Sequence, residues 1–407
     1  MFDPLSRIAA LLRENERLML ILVSTTLVMS GQGVMAPVLP LFASGFGVGA
    51  AAIGLTLSAF ALARLILNVP FGVLADRYGR RILLAGGPLI SAAGMFGSGV
   101  SSDIAELLGW RFVAGAGSAM YMTGAQIYLI DISTATNRAR IIGANQGALL
   151  FGVSIGPALG GLLAEVYGLR VPFYAVGAAS VLTASYAYFR LPETHTGPTP
   201  RSEAPATDRP GRPAWLRLIL SRNFAAVAGV TFAVFATRAG GRMTLMPLLA
   251  MSSFGYSAGS LGALFAGMAV INLLGIAPAA WVADRFGRKW AIVPAGVLVA
   301  AALLTMAAAD DGQTFAAAAV LWAIGTATVG PAPAAFVADI APADLRGVAM
   351  GLYRSAGDAG LLLGPIALGA LADATSIPVG LTANAVLFAA AAAYFGVAAR
   401  ERAIPAQ

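Results

Sequence analysis

Twelve long runs of apolar residues, separated by short polar segments, dominate the sequence. The runs lack the period-two alternation of a lipid-facing β-strand, and their lengths match the about 20 residues that a helix needs to cross about 30 Å of hydrocarbon. Because only a fully hydrogen-bonded backbone is stable in lipid, the pattern predicts twelve transmembrane helices. The predicted spans are 18–42, 51–75, 82–100, 105–130, 141–165, 171–190, 223–249, 259–283, 290–309, 315–338, 347–373 and 378–398.

A polar segment rich in proline and arginine separates the sixth span from the seventh, and its composition is typical of a linker. We therefore predict an all-α membrane protein built from two six-helix bundles. The predicted segments are an N-terminal cytoplasmic segment 1–17, a bundle 18–190, a cytoplasmic linker 191–222, a second bundle 223–398 and a C-terminal tail 399–407.

A repeat relates the two halves. Residues 72–81 read Gly-Val-Leu-Ala-Asp-Arg-Tyr-Gly-Arg-Arg, and residues 280–289 read Ala-Trp-Val-Ala-Asp-Arg-Phe-Gly-Arg-Lys, at an offset of 284 − 76 = 208 residues. One constant shift over more than a hundred positions predicts two parallel halves related by an axis along the membrane normal. The same offset pairs Asp131 with Asp339, Arg138 with Arg346, and Gly156-Pro157 with Gly364-Pro365.

Composition and charge support a membrane location. The chain is 58% hydrophobic and 11% charged, with a mean hydropathy of +0.79, which is too apolar for one soluble core. With both termini in the cytoplasm, 20 of the 26 Lys and Arg residues fall on the cytoplasmic side, and only Arg170 falls outside. The net charge of +7 therefore reflects membrane topology and not nucleic-acid binding.

The chain contains no cysteine and a single histidine, His195. The first fact excludes disulfides and thiolate chemistry, and the second argues against a metal site. Neither points to an enzyme, and we expect no cofactor.

Three motifs resemble signatures of the major facilitator superfamily. The first, G-x-L-A-D-R-x-G-R-[KR], is carried by Gly72, Leu74, Ala75, Asp76, Arg77, Gly79, Arg80 and Arg81, and is repeated, with Ala280 for the first glycine, at Asp284, Arg285, Gly287 and Arg288. The second, R-x-x-x-G-x-G, begins at Arg111, with Ala114 in place of the usual glutamine. The third, G-x-x-x-G-P-x-x-G-G, is carried by Gly152, Gly156, Pro157, Gly160 and Gly161 and is associated with antiporters. The chain resembles the twelve-helix drug:proton antiporters, which implies that fold, alternating access and a proton gradient as driving force.

Paired charges mark both copies of the first motif. We expect Arg80 and Arg288 to reach Asp131 and Asp339. The resemblance implies that Asp76 faces the start of span eleven in one state, and symmetry suggests Asp284 with the start of span five. The alternative is that these charges only set the topology, although this would not explain the paired aspartates and glycines.

The three glycines of the third motif recur every four residues and share one helix face. Such a face allows backbones to approach closely, and Pro157 permits a bend. The stripe could shape a central cavity or serve packing alone.

Six charged residues lie within the spans, and each is a functional candidate because a charge in hydrocarbon is costly. Asp358 is the only carboxylate well inside a span, so we predict that it carries the coupled proton, with Arg354 and Arg111 as further coupling candidates. The alternative is a static Arg354–Asp358 pair within one helix.

Five arginines against one aspartate leave a buried charge of 5 − 1 = +4. The resemblance implies an acidic residue in the first span of many exporters of cationic drugs, whereas this span has Gln32. An anionic, zwitterionic or polar amphiphilic cargo is therefore favoured. The resemblance implies a cavity lined from spans one, four, seven and ten. The cavity candidates, with polar residues of neighbouring spans added, are Gln32, Arg64, Tyr121, Thr123, Gln126, Thr237, Arg238, Arg242, Thr326, Thr328 and Tyr353.

The sequence thus predicts a monomeric inner-membrane transporter, surrounded by lipid, that exports a small organic compound in exchange for protons and binds no nucleic acid. Two alternatives remain open at this stage. One is a symporter or facilitator for an organic anion, and the other is a translocase for a lysolipid or similar amphiphile.

Overall fold

The computed structural model describes residues 16–134, 137–194, 214–329, 332–342 and 345–400. Within these ranges the chain is helical and contains no strand. The predicted N-terminal segment up to residue 15, most of the linker and the tail from residue 401 lie outside the described residues. So do the side chains of Asp284, Thr328, Arg138 and Arg346.

The helices fall at the predicted spans. In the first half they are α1 (Glu16–Ser44), α2 (Ala50–Tyr78), α3 (Arg80–Val100), α4 (Ile104–Asp131), α5 (Arg138–Tyr167) and α6 (Val171–Arg190). Then come the short α7 (Ala214–Ile219), α8 (Arg222–Ala236), a π-helix (Thr237–Leu245), α9 (Met246–Phe254), α10 (Ala258–Phe286), α11 (Arg288–Ala307), α12 (Gly312–Val329), α13 (Ala332–Ile340), α14 (Arg346–Ala374) and α15 (Ile377–Ala398).

Ten of the described helical segments are long and apolar enough to cross a membrane. The fourth and sixth predicted spans coincide with α4 and α6, which have 28 and 20 residues and therefore also have the necessary length. The protein is an integral membrane protein of the all-α class.

The seventh span departs from the prediction. The sequence predicts one continuous helix over 223–249, whereas the structure has α8, nine residues of π-helix and then α9. A hydrophobicity pattern does not reveal this change, because it reports the length of a span and not the width of the helical turn.

Contacts between Cα atoms divide the chain into two units. Unit 1 comprises residues 1–39 and 59–202, and unit 2 comprises residues 40–58 and 203–407. The units match the two sequence halves except for 40–58, which comprises the end of α1, the connecting loop and the start of α2. This segment packs within unit 2.

Glycines set the close approaches within unit 1. A Cβ on Gly94 would overlap the backbone of Ala114, and one on Gly87 would lie 2.6 Å from the amide nitrogen of Tyr121, so α3 and α4 are in backbone contact. The stripe on α5 behaves in the same way towards α1: Cβ atoms on Gly152, Gly156 and Gly160 would overlap the carbonyl oxygens of Thr26, Ser30 and Val34. The predicted small-residue face is therefore a helix-packing face in unit 1.

In unit 2 the outer segment 40–58 is held by α14. The Asp373 carboxylate accepts hydrogen bonds from the amides of Ala50 and Ala51, at 2.6 and 2.9 Å, and so caps the start of α2. Ser58 Oγ donates to the Leu362 carbonyl oxygen at 2.7 Å. A Cβ on Gly54 would lie 2.6 Å from the Pro365 carbonyl oxygen, so these helices are also in close contact.

The packing of α5 against α1 predicts different effects for two glycine substitutions on α5. Gly156→Ala inserts a methyl group against the backbone of α1 and should destabilise the protein by about 1–3 kcal/mol, the usual cost of overpacking. Gly147→Ala, on the same helix, is the matched control because its Cβ would have no neighbour within 4 Å. Thermal unfolding of the purified protein in detergent measures both, and equal melting temperatures would contradict the packing described here.

Candidate functional site

The first motif forms a sharp corner between two helices, whereas the predicted spans end at residue 75 and resume at residue 82. Residues 72–78 belong to the last turns of α2, Gly79 alone is non-helical, and Arg80 begins α3. Gly79 has φ 92° and ψ 169°, and Gly287 in the second copy has φ 101° and ψ 163°. Both angles lie in the region that favours glycine, so a side chain there would be strained. This explains why both copies carry the glycine.

Arg80 connects the corner of unit 1 to the end of α4. Its Nε donates to Asp131 Oδ2 at 2.9 Å, its Nη1 donates to the Ala75 carbonyl oxygen at 3.0 Å, and its Nη2 lies 3.6 Å from Asp76 Oδ1. The residue is only 7% exposed. In unit 2 Arg288 Nε lies 3.3 Å from Asp339 Oδ2. Both predicted arginine–aspartate contacts are confirmed.

The other charged residues of the motif lie at the surface. The Asp76 side chain is 64% exposed, and its contact with span eleven stays a prediction. Arg77 and Arg285 each lie over an aromatic ring of their own helix, Tyr78 at 5.5 Å and Trp281 at 5.5 Å. The side chain of Asp284 is outside the described residues.

Sequence analysis missed the residue that closes this corner. The carboxylate of Glu193, just after α6, accepts hydrogen bonds from the backbone amides of Arg80 and Arg81 at 2.9 and 3.1 Å. It therefore caps the start of α3, and a Cβ on Gly79 would overlap it. Thr194 Oγ1 donates to Asp131 Oδ2 at 2.9 Å, which joins the beginning of the linker to the same corner.

The repeat contains a signal for this contact. Arg81 donates to the carbonyl oxygen of Tyr188 at the end of α6. Lys289, 208 residues later, donates to the carbonyl oxygen of Gly396, which is the repeat position of Tyr188, at 2.9 Å. The end of the sixth helix of each half is thus bonded to the start of its third helix, which places the residues just after α6 beside the corner.

Several cavity candidates in unit 1 lie inside the packed interior. Tyr121 is fully buried, with its hydroxyl 3.0 Å from Thr25 Oγ1, which donates to Asn145 Oδ1 at 2.9 Å. Gln32 is partly buried and donates to Ser118 Oγ at 3.4 Å. Tyr121 therefore serves a buried hydrogen-bond network, because a fully buried hydroxyl requires a partner.

Arg111 is also buried. It is 4% exposed, and its guanidinium lies over the Phe60 ring at 4.8 Å from the centroid. Within the described residues its Nε and Nη1 make no hydrogen bond. The charge is thus enclosed by apolar groups, and no surface of unit 1 exposes it to a ligand. A role in proton coupling stays a prediction.

The remaining candidates of unit 1 are more accessible. Arg64 and Thr123 are partly buried, and Gln126 is exposed. The hydroxyl of Tyr121 has its partners, Thr25 and the carbonyl oxygen of Ile21, on α1.

In unit 2 the candidates on the π-helix divide into two sets. Thr237 is 1% exposed and donates to Asn384 Oδ1 at 2.7 Å. Arg238 and Arg242 are partly exposed, and the guanidinium of Arg242 lies 5.3 Å from the centroid of the Phe265 ring. Buried Thr237 therefore holds the helix in place, while the two arginines remain partly accessible.

Two further groups complete unit 2. Thr326 Oγ1 lies 3.2 Å from Asn272 Oδ1 and is partly buried. Asp358 and Tyr353 on α14 are also partly buried, and Arg354 is exposed. Asp358 lies near the middle of a 29-residue helix, as the sequence predicts for a carboxylate at mid-depth.

Comparison with known proteins gives the same architecture. The family model of the Major Facilitator Superfamily matches residues 21–240 and 230–406. An uncharacterised MFS-type transporter of Methanocaldococcus jannaschii is 25% identical over 89% of this chain and 93% of its own length. The solved structure of a bacterial homologue of the human lysosomal transporter Spinster superposes with a TM-score of 0.79 at 18% identity, over 95% of this chain and 96% of that one.

A relative with a drug-related name is similar over a smaller part. Multidrug resistance protein 1 of Bacillus subtilis is 30% identical over 46% of this chain, and the match spans 48% of that protein. The chain thus matches about half the length of this relative.

The cap on α3 predicts a graded series at Glu193. Glu193→Ala removes both hydrogen bonds to the start of α3 and should cost about 1 kcal/mol, the usual value for a helix cap. Glu193→Gln keeps one acceptor oxygen, so its stability should lie between that of Glu193→Ala and that of the wild type. The apparent melting temperature in detergent measures the series.

The control is Asp310→Ala, which removes an exposed carboxylate for which the described part of the chain shows no hydrogen bond. Equal melting temperatures for Glu193→Ala and Asp310→Ala would show that the cap does not stabilise the fold.

Proposed function

Because the chain belongs to the Major Facilitator Superfamily, a superfamily of transporters, we propose that it is a secondary active transporter that exports a small organic compound in exchange for protons. The observation that carries proton coupling is Asp358, a partly buried carboxylate in the middle of α14. A carboxylate in hydrocarbon is costly, so it is expected where protonation or a changing partner serves transport. The half-length match to a multidrug resistance protein supports export.

Alternating access provides a mechanism by which Asp358 couples proton movement to transport. When the surroundings of a carboxylate become more apolar, the protonated form is favoured, and when a cation approaches, the ionised form is favoured. A transporter that changes between two states can offer these surroundings in turn. It then binds a proton on one side and releases it on the other, and the substrate moves in the opposite direction.

The charges of the spans favour an anionic or amphiphilic cargo. Arg238 and Arg242 are partly exposed in unit 2, and the spans contain a single carboxylate well inside the membrane. Opposite charge attracts a substrate into a site of low dielectric. Arg111 is only 4% exposed, so it does not contact the substrate directly.

We propose further that the protein acts as a monomer in the inner membrane, with both termini in the cytoplasm. The distribution of basic residues supports this orientation, since translocation across the membrane disfavours Lys and Arg in short loops.

Proton coupling predicts the behaviour of Asp358→Asn. In proteoliposomes with an imposed pH gradient, the wild type should accumulate a transported dye, and Asp358→Asn should lower this gradient-driven accumulation at least about tenfold. Downhill movement without a gradient should persist, because the substitution keeps the shape of the side chain. Asp310→Asn is the control. Transport that is unaffected by the gradient and by Asp358→Asn would rule out proton coupling and leave a facilitator.

The proposed charge preference is tested with two xanthene dyes of similar size, anionic fluorescein and cationic rhodamine 123. Arg238→Gln should impair fluorescein transport more than rhodamine 123 transport, because it removes one positive charge from unit 2. Arg222→Gln, at the exposed start of α8, is the matched control. Equal export of both dyes by the wild type and by Arg238→Gln would contradict the preference. Movement of a labelled lysolipid between leaflets would instead indicate an amphiphile translocase.

A further inference from the structure

The π-helix breaks the repeat that otherwise relates the two halves. Its residues, Thr237–Leu245, correspond through the 208-residue offset to positions 29–37, which are ordinary α-helix in α1. π-helices are rare and occur frequently at functional sites, because their wider turn is unfavourable without a compensating role. A feature present in one half alone therefore points to a task that the other half does not share.

The packed side of the π-helix is held at several points. Thr244 Oγ1 donates to the carbonyl oxygen of Ala239 at 2.9 Å, and the Met246 amide donates to that of Gly241. A Cβ on Gly240 would lie 2.7 Å from the Gly364 carbonyl oxygen, so the helix is in backbone contact with α14. The carbonyl group of Ala239 thus has a side-chain donor, which hydrocarbon would not supply.

Asn384 on α15 contacts the π-helix at two points. It is fully buried, accepts the hydroxyl hydrogen of Thr237, the first π-helical residue, and touches Gly241, four residues on. Its Nδ2 makes no hydrogen bond within the described residues. Whichever way the amide is assigned, one of its ends faces Gly241 without a partner. Such a buried group is costly, and its retention indicates that it fixes the helix at this point.

The π-helix also carries two like charges. Arg238 and Arg242 are four residues apart, both partly exposed, and the charge of Arg238 acts on Arg242. Arg242 lies over the Phe265 ring, and the described residues supply it with no hydrogen-bond or ion-pair partner. A planar guanidinium held by a ring keeps its fork of donors available, and a carboxylate, sulfonate or phosphate matches that fork with two parallel hydrogen bonds.

We propose that the π-helix is the anion-binding element of the transport site, with Arg242 as the residue that binds the acidic group of the substrate and Asn384 as a positioning residue that holds the π-helix under it. The substrate class is an organic acid whose carboxylate, sulfonate or phosphate pairs with Arg242. This inference rests on the proposed transport of an anionic compound and assigns the residues that select it.

The test compares the KM for fluorescein in proteoliposomes. Arg242→Gln should raise this KM about tenfold, the loss of a charge-assisted hydrogen bond, and leave the KM for rhodamine 123 unchanged. Arg242→Lys keeps the charge but not the planar fork and should recover only part of the affinity. Asn384→Leu, which fills the same volume without the hydrogen bond to Thr237, should raise the fluorescein KM with little change in the maximal rate.

Three further variants separate positioning from stability. Phe388→Leu, equally buried one turn along α15, should lower the melting temperature without changing the fluorescein to rhodamine 123 ratio. Thr237→Val removes the hydroxyl that binds Asn384 and should act like Asn384→Leu, whereas Thr237→Ser restores the donor and should behave like the wild type. If Asn384→Leu does not fold, the Thr237 pair tests the same contact.

The possible failures are distinct. If the wild type transports rhodamine 123 but not fluorescein, the proposed anion preference is wrong, and this assignment fails with it. If the wild type transports fluorescein and Arg242→Gln transports it with an unchanged KM, the transport function stands and the anion-binding element lies elsewhere. If Arg242→Gln has the expected effect while Asn384→Leu and Thr237→Val have none, the role of Asn384 is wrong.

Discussion

A backbone in hydrocarbon has no water to bond the groups that a bend or a turn releases, and this constraint explains most local features of the protein. Each of the two corners contains a single non-helical residue, Gly79 in one and Gly287 in the other. Where the helix widens, Thr244 replaces the missing donor. Where α2 and α3 begin, a carboxylate from elsewhere in the chain accepts the first amides, Asp373 for α2 and Glu193 for α3.

The sequence predicts what depends on composition and on repetition. Helix positions follow from apolar length, because the membrane sets that length for every span. The Arg80–Asp131 and Arg288–Asp339 contacts follow from the repeat, since two copies of a charged pair at one offset indicate a shared geometry. Gly156 is recognisable as a packing residue because its stripe has the helical period.

The remaining features depend on three-dimensional contacts that no local pattern encodes. Asn384 contacts the π-helix at Thr237 and Gly241 although it lies far along the chain, and nothing within 237–245 alone specifies this partner. Tyr121 has a polar hydroxyl that suggests a cavity, yet it lies buried beside Thr25 of α1, which bonds it and in turn donates to Asn145 of α5. Apolar spans give little information on which direction a side chain faces, because lipid and the protein interior both favour apolar residues.

The Asp373 cap makes the start of α2 dependent on the other half of the chain. The start of α2 is part of the first repeat, but its capping carboxylate is part of the second. At the 208-residue offset Asp373 corresponds to another carboxylate, Glu165, and Ala50 corresponds to Ala258, the first residue of α10. A truncated chain that ends at the linker would therefore lack the acceptor for the amides of Ala50 and Ala51, and the first turn of α2 would lose its cap.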